Sequence, residues 1–111
     1  MVNDKKTGSF FTPEALACSV IAHLNRYLSE VDRADLVVLE PSVGEGAFLQ
    51  AFAGSEAATR LRSMDAVDIE PAFISECKNT PFFGTEINYF CEDFIGFDGR
   101  ADGYDVILGN P

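Results

Sequence analysis

Four polar clusters each stand at the end of an apolar run. Glu40 opens Glu40-Pro41-Ser42-Val43-Gly44-Glu45-Gly46, Asp68 and Glu70 flank Ile69, Glu92 and Asp93 precede Phe94, and Gly109-Asn110-Pro111 follows Val106-Ile107-Leu108. A glycine pair between a strand and a helix lets backbone N–H groups approach a ligand, and a helix N-terminus favours an anion. A tight strand-to-helix turn explains the same pair without any ligand. A dinucleotide fingerprint wants a third glycine where Leu49 stands. Glu40 and Glu45 would also repel a pyrophosphate, so the loop suits a cationic ligand better.

S-adenosylmethionine fits that description, with a sulfonium, an ammonium and one carboxylate that backbone N–H groups can meet. Asp68 lies 24 residues after Gly44, where a carboxylate at a strand tip can accept from both ribose hydroxyls. Ile69 can press on the adenine face. Asp93 can accept from the adenine amino group while Phe94 stacks. The plainer alternatives are a helix-start acid at Asp68, a role that suits Glu70 better, and a solvated loop acid beside a core phenylalanine at Asp93-Phe94.

These clusters need a scaffold that gathers strand ends. Thr12-Pro13 opens a helix, with Thr12 as N-cap, Pro13 in the first helical position and Glu14 in the first turn. Leu16, Val20, Leu24 and Leu28 recur at helical spacing with Ala17 and Ile21 beside them, to an end near Glu30. Leu36 to Leu39 reads as a strand buried on both faces. Ala47 to Ala53 reads as a helix whose pattern continues, after Gly54, through Leu61. Ala66 to Ile69 is a second strand, Pro71 starts a helix running to about Lys78, Ile87 to Cys91 alternates as a third strand, and Tyr104 to Leu108 is a fourth. The alternation predicts an α/β fold on a parallel sheet, in which ligands bind at the carboxyl ends of the strands. One domain is expected over 1–111, with a disordered tail at 1–7, an N-terminal motif and helix at 8–30 and the α/β core at 36–111.

Composition narrows the classes. The chain has 111 residues, an ordinary apolar fraction of 47% and a formal net charge of −10. Phosphate contacts dominate nucleic-acid affinity, so a chain this acidic is not expected to hold DNA by itself. Cys18, Cys77 and Cys91 form neither a metal knuckle nor a disulfide framework, which points to a reducing cytoplasm. No apolar core of the signal-peptide kind follows Met1 to Lys6. The longest apolar stretch, from Ala15 to Leu24, is broken by Ser19 and His23 and is too short to span a membrane. His23 reads as a partly exposed helix residue, and the ten phenylalanines read as core.

Taken together, the motifs resemble those of a known family. Glu40 to Leu49 resembles the cofactor loop of class I S-adenosylmethionine-dependent methyltransferases, and Val67-Asp68-Ile69-Glu70-Pro71 and Glu92-Asp93-Phe94 resemble the two cofactor motifs that follow it. Ile107-Leu108-Gly109-Asn110-Pro111 is similar to the start of the Asn-Pro-Pro-Phe/Tyr motif of amino methyltransferases. Gly8-Ser9-Phe10-Phe11-Thr12-Pro13 resembles the Thr-Pro motif of DNA adenine-N6 methyltransferases of the restriction–modification type, and the motif order is similar to their gamma arrangement.

The resemblance implies a Rossmann-like methyltransferase fold. Thr12 would meet the methionine carboxylate. Glu40, Pro41 and the backbone at Gly44 to Gly46 would surround the methionine part, Asp68 would hold the ribose, and Ile69, Asp93 and Phe94 the adenine. Asn110 and Pro111 would be catalytic: an Asn side-chain oxygen and a Pro carbonyl each accept one N–H of a flipped-out adenine amino group and aim its lone pair at the methyl. The second proline and the aromatic residue of that motif do not follow, so the resemblance implies a cofactor half truncated after the fourth strand. Its DNA substrate would then be bound by the full-length parent. An open fourth strand would offer an edge for self-association.

Protein-glutamine and ribosomal-RNA amino methyltransferases share the Asn-Pro-Pro motif, although Thr12-Pro13 disfavours them. A non-catalytic ligand-binding or interaction module is the third reading. The 111-residue chain alone is expected to transfer no methyl group to DNA; turnover in a tritium-transfer assay on unmethylated DNA would overturn that expectation.

Overall fold

A parallel sheet fixes where every candidate residue stands. The computed structural model describes residues 13–80 and 87–109; the expected 1–7 tail, Thr12, Asn110 and Pro111 lie outside them. Helix α1 (Glu14–Val31) leads into strand β1 (Leu36–Glu40), helix α2 (Ala47–Ala53), strand β2 (Leu61–Asp68), helix α3 (Pro71–Lys78), strand β3 (Ile87–Cys91) and strand β4 (Val106–Ile107). All strand pairs are parallel, and the order is β3-β2-β1-β4. This is a four-stranded Rossmann-like arrangement, with the fourth strand at an edge as the motif order implied.

Several local expectations are corrected. Pro13, rather than Thr12, holds the cap position of α1: its ψ of 144° is extended, its carbonyl accepts from Ala17 N at 3.0 Å, and no side chain caps the helix. The buried face of α1 is Ala17, Ile21 and Leu28, with Leu24 packed beside them, whereas Leu16 is 48% exposed and Val20 is half-buried. The helix carries two neighbouring apolar stripes, and the core takes the one starting at Ala17, which also follows the i, i+4, i+7 rule. Helix α2 does not continue to Leu61. Ser55 is extended, a 3₁₀ turn spans Glu56–Arg60, and Asn25 Oδ1 on α1 accepts from Ala57 N at 2.8 Å to hold that turn. Leu61 already belongs to β2, which has 8 residues rather than the four expected.

One face of the sheet carries the main apolar core, where Leu36, Val38, Met64, Ala66 and Leu108 meet Ile21 and Leu28 of α1, Leu49 and Phe52 of α2, and Ile74 and Cys77 of α3. The other face is polar at its centre. Asp65, only 3% exposed, projects there from β2. Arg100 Nε and Nη2 donate to its two oxygens at 2.9 and 3.0 Å, Tyr104 Oη donates at 2.7 Å, and Asn88 Nδ2 donates at 3.1 Å. Arg100 and Tyr104 both belong to the crossover from β3 to β4, whose described regular structure is a 3₁₀ turn at Phe94–Gly96. Phe97 adds an aromatic contact to Phe90 of β3, with ring centroids 5.2 Å apart. The crossover is thus clasped onto the sheet.

Strand β4 is shorter than the expected Tyr104–Leu108, but its flanks extend the ladder: Asp105 N donates to Val37 O and Leu108 N to Leu39 O, both at 2.8 Å. The Asp105 carboxylate also accepts from Val37 N and pairs with Arg33 at 2.8 Å. Ile107 is 64% exposed at this edge. Among the described residues, no helix is long and apolar enough to cross a membrane.

The clasp predicts a pH-dependent stability. Burial pushes the Asp65 carboxyl up, but hydrogen bonds from Arg100, Tyr104 and Asn88 and the guanidinium charge outweigh it and hold the group below its ordinary value. A depressed carboxyl stabilises the fold above its unfolded-state pKa of about 3.9 and loses that contribution as pH falls through the folded value. Asp65→Asn should therefore cost about 2–3 kcal/mol at neutral pH, because a guanidinium and a phenol lose their anionic partner. In urea unfolding, the gap between wild type and variant should hold down to about pH 5 and shrink below about pH 4. An equal gap at pH 7 and pH 3 would show that the charge is not what holds the crossover.

Candidate functional site

The strand order places the expected ligand crevice of an open parallel sheet at the carboxyl ends of β1 and β4. From β1 the chain goes to β2 on one side, while β4 returns on the other side, and ligands of open parallel sheets bind where the connections diverge in this way. Glu40 ends β1 at that point. It is 1% exposed, Oε1 accepts from Ser42 N at 2.8 Å, and Oε2 has no hydrogen-bond partner among the described residues. A buried polar atom without a partner is costly and marks a place where a ligand or water group would be welcome.

Burial pushes the Glu40 carboxyl up to about 8; the Ser42 hydrogen bond opposes the rise and the charge of Asp68 adds to it. This refines the charge argument made from the sequence. Burial thus disfavours the charged form of Glu40, and a nearby cation would favour it.

Gly109, just past β4, lies directly against this carboxyl. A Cβ there would stand 3.0 Å from Glu40 Oε1 and 3.2 Å from Pro41 Cδ, and its φ of +154° suits glycine. Sequence reasoning did not single out Gly109 as a site residue. The available signal was its type: a glycine where an apolar strand gives way to a polar turn.

Asp68 ends β2 and is 8% exposed. Its Oδ2 accepts from Gly44 N at 2.9 Å and its Oδ1 from Glu70 N at 2.9 Å. The side chain therefore ties the glycine loop to its own turn, and each oxygen keeps a further lone pair for a ligand hydroxyl. The loop needs this tie because Gly44 and Gly46 are both left-handed, with φ of 57° and 86°. Val43 N donates to Val67 O at 3.0 Å, and Gly46 N to Val43 O at 2.9 Å, so the loop folds back over the strand ends. Glu45 points outward and is exposed.

The third cluster forms a ledge beside the crevice. Glu92 N donates to Asp68 O at 3.0 Å, and Cys91 Sγ lies 3.6 Å from Ile69 O, so the end of β3 adjoins the turn after β2. Ile69 is 67% and Phe94 45% exposed, both open to an apolar ligand face. Asp93 Oδ1 accepts from Ile95 N at 3.0 Å and caps the 3₁₀ turn, as a loop acid would, and the residue is exposed. Glu40, Pro41, Gly44, Gly46 and Asp68 are gathered into one cluster, with Ile69, Asp93 and Phe94 on its rim. His23 lies on α1 and is exposed.

Two further buried groups were not foreseen. Tyr89 of β3 and Glu40 of β1 share one row across the sheet, separated by Ala66, and the Tyr89 hydroxyl also lacks a partner among the described residues. Burial raises it to about 12, helped by Cys77, while the Cys77 thiol is raised to about 11 by burial and by the charges of Glu76, Asp68 and Glu40. Among the described residues no group of three His, Cys, Asp or Glu side chains is arranged to hold a metal ion. Comparison with known proteins finds no matching family model, no matching curated protein and no matching solved structure.

The contact at Gly109 is directly testable. Gly109→Ala must displace Glu40 or Pro41, and overpacking of this kind costs about 1–3 kcal/mol. Thermal unfolding should show that loss, and Glu40→Ala in the same chain should relieve part of it. Full additivity of the two substitutions would mean that the strand end does not press on Glu40.

Proposed function

We propose that the carboxyl-end crevice binds S-adenosylmethionine and serves an amino methyltransferase, with adenine in DNA as the leading substrate. The observation that carries the reading is Glu40: a buried carboxyl with one unpartnered oxygen, beside Asp68 and with its charged form disfavoured by burial, gains from a cationic ligand group that would pair with it. The ligand's methionine part would lie over Gly44 and Gly46 with its ammonium toward Glu40. Asp68 would accept from the ribose hydroxyls with the lone pairs left by Gly44 N and Glu70 N. Ile69 and Phe94 supply exposed apolar surface for the adenine, and Asp93 supplies an acceptor for its amino group.

When bound, S-adenosylmethionine supplies an electrophilic methyl on a sulfonium. The chain's own contribution is positioning and electrostatics. Amino-group specificity rests on Asn110 and Pro111, and the preference for DNA over protein or ribosomal RNA rests on Thr12-Pro13; both come from motif resemblance at residues outside the described set, apart from Pro13.

Calorimetry should detect S-adenosylmethionine or its demethylated product and no comparable heat from NAD. Asp68→Asn, which keeps the shape of the side chain, should weaken binding about tenfold, the loss of roughly one charge-assisted hydrogen bond of about 1.4 kcal/mol. Tighter binding of NAD than of S-adenosylmethionine would reverse the assignment.

A further inference from the structure

Glu40 differs from an ordinary cation-binding carboxylate in what surrounds it. The described elements next to it bring no cation. Ser42 contributes a backbone N–H, Gly109 from the end of β4 contributes only backbone, and Asp68 from β2 contributes further negative charge. Cys77 from α3 and Tyr89 from β3 are the other ionisable groups near it, and their values of about 11 and about 12 leave both neutral below pH 9. Glu40 Oε1 is engaged and Oε2 is not, so one oxygen is left to carry a proton or to face a positive charge.

We infer that Glu40 stands in this site as a neutral carboxylic acid and ionises when the ligand's α-ammonium arrives, so that binding expels one proton. The O–H bond at Glu40 breaks, the proton passes to bulk water, and the carboxylate left behind pairs with an ammonium that keeps all its own protons. The inference rests on the S-adenosylmethionine reading and adds to it a selection rule. The site favours ligands that carry an ammonium, because only they compensate the buried charge; a ligand lacking that group leaves Glu40 protonated.

The sign of the pH dependence follows. A carboxyl raised to about 8 before binding, and lowered by the ammonium, binds the cation more tightly as pH rises toward 8. Even a peptide α-amino group titrates only at about 7.7–8.0, so the useful window lies below pH 7, where the ligand keeps most of its ammonium charge. Between pH 6 and pH 7 the association constant should rise about fivefold to tenfold, tenfold being the limit for release of one proton.

Three probes separate the possibilities: S-adenosylmethionine with both cations, S-adenosylhomocysteine with the ammonium alone, and methylthioadenosine with neither. Calorimetry at pH 6.5 in buffers of different ionisation enthalpy counts the protons. The first two ligands should each release close to one proton, and methylthioadenosine none. Glu40→Gln should bind the first two without proton release and with a flat pH profile. Should that variant fail to fold, infrared difference spectra of the wild type should lose a protonated-carboxyl band on addition of S-adenosylhomocysteine and keep it with methylthioadenosine. Binding of the adenosyl ligands without proton release, or equal release by methylthioadenosine, overturns the inference and leaves the functional reading standing. Failure of all three to bind at any pH overturns both.

Discussion

The grip of Arg100 and Tyr104 on Asp65 is the interaction on which the remaining geometry depends. After β3, at one edge of the sheet, the chain must travel to the opposite edge before β4 can pair with β1. In most parallel sheets a helix makes that journey and covers the face it crosses. Here the described crossover carries only a 3₁₀ turn, so apolar packing alone gives it little hold. A buried carboxylate in the middle of β2, receiving donors from Arg100, Tyr104 and Asn88, provides the missing anchor. Both ends of the segment matter to the crevice: Asp93 and Phe94 lie at its start, and it delivers β4 and then Gly109 at its finish.

The charge distribution fits this division of labour. Four of the five arginines, Arg33, Arg60, Arg62 and Arg100, lie before β1, at the start of β2 or in the crossover, and three of them are engaged with acids or carbonyls there. The carboxyl ends of the strands collect Glu40, Asp68, Glu70, Glu92 and Asp93 instead. The ion pairs among the described residues thus lie away from the strands' carboxyl ends, where Glu40, Asp68 and Asp93 accept hydrogen bonds from backbone N–H groups instead. Acids gathered at one end of the sheet give that end a negative potential, which would favour a positively charged ligand.

Much of this was legible in the sequence, for identifiable reasons. Strand ends are readable because an apolar run stops at a polar residue, and so Glu40, Asp68, Asp93 and the residues before Asn110 were found at the sheet's carboxyl end. The start of β2 was not readable, because Arg62, Ser63 and Asp65 look like loop residues until Arg100 and Tyr104, 35 and 39 residues beyond Asp65, arrive to satisfy them. The face of α1 was ambiguous, since Leu16 and Ala17 begin two apolar stripes and only packing decides between them. The titration state of Glu40 was hidden for a deeper reason. Residue type gives a carboxyl, but burial by a loop and by the end of a distant strand determines whether it carries a charge.

The chemistry of Cys77 carries a consequence of another kind. Cys18 and Cys91 are exposed and Cys77 is buried, in the core beneath the crevice, with its thiol held in the unreactive protonated form. A thiol reagent therefore meets two open sites at once and a third only when α3 lifts from the sheet. The slow fraction of labelling becomes a clock for local opening of the layer that supports Glu40 and Asp68, read at a cysteine the chain already has.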